Sequence, residues 1–79
     1  MNTEDREWLA QLDAVLRADL DTALSRTTVE RLWKLGLLND WQCSLLLGVL
    51  TFETLTERQL VAVHDVKLRV LLRVKELTA

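Results

Sequence analysis

The chain has no proline and only two glycines, Gly36 and Gly48. A β-sandwich needs many tight turns, and this sequence supplies almost none of their chemistry, whereas helices free of proline breakers suit it. Cys43 is the single cysteine, so no disulfide can form within the chain. His64 is the single histidine. Together with Cys43 it falls short of the four ligands that a structural zinc takes. The longest apolar stretch, Leu45 to Leu50, is far shorter than the roughly 20 residues of a membrane-spanning helix. The opening Met1-Asn2-Thr3-Glu4-Asp5 is acidic and lacks the basic start and apolar core of a secretory signal. No phosphate loop, metal cluster or nucleophile–base arrangement is present, so the expectation is a non-enzymatic cytoplasmic protein without cofactor or membrane contact.

What is present fits an ordinary globular domain. Apolar residues make up 49% and charged residues 28%, a balance that argues against disorder. The formal charge of −2 gives no general pull toward nucleic acid or anionic lipid. Acidic residues are concentrated early, with eight acids against five bases in residues 1–40 and four against five in the remainder. Glu4, Asp5, Glu7, Asp13, Asp19 and Asp21 read as a solvated face rather than a nucleic-acid mimic. Length imposes a further constraint. A single domain of 79 residues buries only about 60% of its unfolded surface, and such small scaffolds often add a disulfide, a metal or a partner. Here only the partner is left.

Periodicity predicts an all-α fold, four helices in one compact domain over residues 1–79. The first, about 4–24, carries Trp8, Leu9, Leu12, Val15, Leu16, Leu20, Ala23 and Leu24 on one half-cylinder. A second, about 28–35, opens on a Thr27/Glu30 capping box, turns Val29, Leu32 and Trp33 inward and stops at Gly36. A third, about 40–53, opens on Asn39 and Gln42 and is apolar all round, which predicts a central position. Gly48 inside it costs about 1 kcal/mol against alanine unless a neighbouring helix passes close. The fourth, about 57–77, opens on a Thr56/Gln59 box with Leu55 and Leu60 as its hydrophobic staple. Its Val66–Lys75 segment alternates apolar and basic residues, as a half-buried strand does, but the cap and the want of a second strand favour helix.

Helix four has two apolar seams. Val63, Val66, Val70, Val74 and Leu77 form one; Leu60, Val61, Leu68, Leu71 and Leu72 form the other. Their combined arc, about 240°, exceeds the roughly 100° that a surface helix needs. The Val seam is expected to be core. The Leu side, with Leu68, Leu71 and Leu72 beside Lys67 and Lys75, is expected to bind a protein partner, with homodimerisation favoured.

The remaining chemistry is sparse. Cys43 reads as a buried inert thiol and His64 as a partly covered surface histidine. Helix two, the Gly36 turn and helix three resemble a helix-turn-helix in outline, but residues 40–47 contain no Lys or Arg with which to read DNA. A nucleic-acid edge at Arg58, Arg69 and Arg73 is the second reading, interrupted by Asp65 and Glu76.

Gly36-Leu37-Leu38-Asn39-Asp40-Trp41-Gln42, followed by Leu55-Thr56-Glu57-Arg58-Gln59-Leu60, resembles a helix–loop–helix of small phage and mobile-element proteins. In those proteins a tryptophan opens one helix and a Leu-Thr/Ser-x-x-Gln cap opens the next. The likeness spans about a third of the chain. It implies a phage-type accessory protein that acts by stoichiometric binding, as anti-CRISPR inhibitors do, and it assigns no site.

Overall fold

A computed structural model of the chain describes residues 1–78, leaving Ala79, the last residue of the expected domain, outside. The described residues form α1 (Thr3–Ala18), α2 (Arg26–Lys34), α3 (Asp40–Val49) and α4 (Glu57–Thr78), with no strand among them. The all-α, four-helix expectation holds. The helices pack in the order α1, α4, α3, α2, so that α4 and α3 are each flanked by two others. Val66 to Lys75 is helical throughout.

Helix α1 starts on the Asn2 side chain, which accepts the Asp5 N–H at 2.8 Å, and it ends six residues before the expected position 24. The Asp19 carboxylate accepts the Asp21 N–H at 3.0 Å, and Asp19 itself is extended. This local side-chain bond offers the backbone an alternative to the next helical turn. Leu20 and Leu24 keep their helical spacing in sequence, yet they reach the core from an irregular segment.

Helix α2 begins two residues earlier than expected, at Arg26. Ser25, not Thr27, is its cap, accepting the Thr28 N–H at 3.2 Å. With Ser25 as cap, Leu24 and Val29 take the staple positions that bracket a helix start, and both enter the core. A Thr27 cap would have put Arg26 in that apolar place. The helix closes in a Schellman motif, in which Leu37 N–H donates to Leu32 C=O at 2.9 Å and Gly36 N–H to Trp33 C=O at 3.0 Å. Gly36 adopts φ +81°, as expected of a helix-ending glycine.

Helix α3 has the expected reciprocal Asn39/Gln42 capping box, with bonds of 2.8 and 3.0 Å. It ends at Val49 rather than 53. Leu50, Thr51 and Phe52 donate to carbonyls three residues back, and the Thr51 hydroxyl takes the Gly48 carbonyl at 2.8 Å. That tightening replaces the last helical turn. The helix lies between α2 and α4, as expected of a central position, but it is not covered on all sides. Cys43 and Leu46 are buried, whereas Trp41 faces outward and Leu50 and Phe52, just past the helix, are exposed too. Trp33 of α2, expected inside, lies half-exposed, its indole N–H donating to Asp40 at 2.9 Å. A Cβ at Gly48 would meet nothing, so no neighbouring helix requires that glycine.

Helix α4 opens on the expected box, Gln59 N–H to Thr56 Oγ1 at 3.2 Å and Thr56 N–H to the Gln59 side chain at 2.8 Å. Leu9 and Leu16 of α1, Val29 and Leu32 of α2, and Val66, Val70 and Val74 of α4 are the most deeply buried side chains. Arg31 ties α2 to α1, bonding Asp5 at 2.9 Å and lying 4.3 Å over the Trp8 ring. A guanidinium stacked and paired in this way is held from two directions.

Candidate protein-binding surface on helix α4

One face of α4 builds the core and the other is open. Val63, Val66, Val70 and Val74 are all buried, whereas Leu77, expected in the same core seam, is 38% exposed in the last turn, beyond the reach of the neighbouring helices. On the open side Val61, Leu68 and Leu72 are 65%, 51% and 64% exposed. Their spacing of seven and four residues places them in one stripe along the helix. Val61 belongs to the Leu-rich seam by its position, and its exposure is what adds it to the candidate surface. Lys75, Arg58, Arg69 and Arg73 are likewise exposed, and Arg69 pairs with Asp65 at 2.9 Å one turn away.

Two of the residues expected on this surface lie elsewhere. Leu71 is 7% exposed and belongs to the core. It sits on the flank of the stripe, where the wheel separates core from solvent by only a few tens of degrees. Lys67 is 5% exposed. Its ammonium group donates to Leu20 C=O at 2.7 Å and Thr22 C=O at 2.8 Å. These carbonyls lie in the irregular segment after α1, where helical hydrogen bonding has lapsed and buried acceptors need a donor. Burial pushes the Lys67 pKa below its ordinary value, while Asp21 and Asp19 oppose that shift. Lys67 is thus an internal clasp rather than a surface charge.

His64 reinforces the clasp, its Nε2 meeting Asp21 Oδ1 from the same segment. Sequence spacing gave no sign of either pairing, because the partners are more than 40 residues away. His64 and Lys67 stand at the polar end of a cleft of about 500 Å³, whose apolar wall includes Leu24, Val49, Leu55 and Val63. A second hollow of about 430 Å³ lies where α4 passes the α2–α3 turn, with Leu72, Arg69 and Arg73 on one side and Asn39 and Gln42 on the other. Leu72 is therefore both the C-terminal end of an exposed stripe and the wall of a recess. Cys43 is a free, buried thiol, as expected.

Among the described residues no helix is long and apolar enough to cross a membrane. No protein-family model matches the chain, and comparisons with curated proteins and with solved structures gave no match.

Proposed function

We propose that this chain is a non-enzymatic protein-binding module that acts by stoichiometric contact through the outward face of α4. The observation that carries the reading is the exposure of Val61, Leu68 and Leu72 on a helix whose opposite face is the core. Large apolar side chains aligned in a stripe, rather than scattered singly, mark an interaction surface. Leu72 beside Arg69 and Arg73 pairs an apolar anchor with guanidinium groups, a residue type enriched at binding hot spots. In biological terms the reading is that of a small accessory or inhibitor protein of the phage type, in keeping with the resemblance at residues 36–42 and 55–60. The free Cys43 thiol suits a reducing compartment, the cytoplasm.

Affinity capture from cells of the source organism, with the native chain and with Leu72→Glu, tests the proposal. The native chain should retain a protein that Leu72→Glu loses, and retention should change little between low and high salt. The second reading, nucleic-acid binding at Arg58, Arg69 and Arg73, is favoured by the outward position of all three. It predicts capture of nucleic acid with an affinity that falls steeply with salt. That result, with Leu72→Glu still binding, would replace the first reading.

A further inference from the structure

The open face of α4 carries charges whose order along the helix is complementary to itself. At about 100° per residue, Arg58, Asp65, Arg69 and Glu76 follow one edge of the Val61–Leu68–Leu72 stripe, and Glu57 and Lys75 follow the other. Arg58 and Glu76 stand nine residues either side of Lys67, and Asp65 and Arg69 stand two either side of it. Glu57 and Lys75 stand nine either side of Val66. All six are exposed. The two pairs on one edge thus share a midpoint at Lys67, and the pair on the other edge is centred one residue earlier, at Val66.

We infer that the partner for this face is a second copy of the chain, its α4 antiparallel to the first about a two-fold axis level with Val66 and Lys67. The inference rests on reading the outward face as a protein-binding surface. In such a pairing residue i meets residue j while j meets i, and each edge runs against the same edge of the other copy. Arg58 of one copy meets Glu76 of the other, Asp65 meets Arg69, and Glu57 meets Lys75. Val61 falls within a residue of Leu72 of the second copy, and the two Leu68 side chains meet near the axis. A parallel pairing instead sets each edge against the opposite edge of the other copy, where Asp65 and Arg69 do not meet, and aligns the helix dipoles, which is unfavourable. The apolar stripe holds the copies together, and the charges set the register of the antiparallel pair.

The test is sedimentation equilibrium over a concentration series, with circular dichroism confirming that each variant stays helical. The native mass should rise toward twice 9.1 kDa, and Leu68→Glu should remain at the single-chain mass. Arg58→Glu and Glu76→Arg should each weaken association by about tenfold or more, since like charges facing across an interface are strongly disfavoured. The double variant Arg58→Glu/Glu76→Arg should regain the native dissociation constant. Within one helix these two residues are about 27 Å apart, so the rescue can arise only between copies. A single-chain mass at millimolar concentration overturns self-pairing. If Leu72→Glu nevertheless loses a captured protein, the broader protein-binding reading stands while self-pairing falls. A double variant as weak as either single one overturns the antiparallel register.

Discussion

Replacing Lys67 with methionine removes the clasp between α4 and the segment after α1 while keeping a similar volume. Two hydrogen bonds from a charged donor are lost, to Leu20 C=O and Thr22 C=O. Bonds of that kind contribute about 1.5–3 kcal/mol each, so the gross loss is about 3–6 kcal/mol. Methionine also removes the cost of holding an ammonium group on a side chain that is only 5% exposed, which offsets part of the loss. The net expectation at pH 7 is a destabilisation of about 2–3 kcal/mol. Urea denaturation at fixed protein concentration measures it. With an m-value of about 1 kcal/mol/M, the midpoint should fall by about 2–3 M. The pH dependence supplies an independent sign. Lys67 has its pKa lowered in the folded state from 10.5, so across the interval below 10.5 the unfolded chain binds more protons than the folded one. Stability contributed by Lys67 therefore rises with pH through that interval and is level below the folded pKa. The gap between the native chain and Lys67→Met should accordingly be constant near neutrality and widen toward pH 10. An unchanged or higher midpoint for Lys67→Met, or a gap that closes in alkali, would refute the clasp.

Gly48→Ala should stabilise the chain by about 1 kcal/mol in thermal or urea unfolding, because the residue is helical and a Cβ there meets nothing. Thr56→Ala should cost about 1 kcal/mol, the usual loss of a helix N-cap, read as a lower urea midpoint with the native m-value.

The capping chemistry of α3 and α4 was readable because it is local: Asn39 with Gln42 and Thr56 with Gln59 need only three-residue spacing. Gly36 was readable for the same reason. The Val seam was legible because the buried face repeats at helical spacing over three turns. Helix α1 was over-extended because Leu20 and Leu24 continue the period while the Asp19 side chain breaks the backbone pattern beneath it. A wheel registers side-chain spacing and is blind to that competition. Lys67 was misplaced because a lysine's burial depends on acceptors it finds in space, here 45 and 47 residues away. The His64–Asp21 pairing was hidden likewise. Of the expected surface, Leu68, Leu72 and Lys75 are outward and Leu71 and Lys67 are inward, so periodicity located the face but not its margin.

The central claim is that the two faces of α4 have separate roles, core on one side and partner on the other. Circular dichroism and molecular mass, measured together on Leu72→Glu and Val70→Glu, test it most directly. Val70 is 2% exposed, so a carboxylate there is a buried unpaired charge, and the helical signal should collapse. Leu72→Glu should keep the native helical signal and unfolding midpoint while losing association. Loss of helix in Leu72→Glu equal to that in Val70→Glu would contradict the account, because both faces of α4 would then be core.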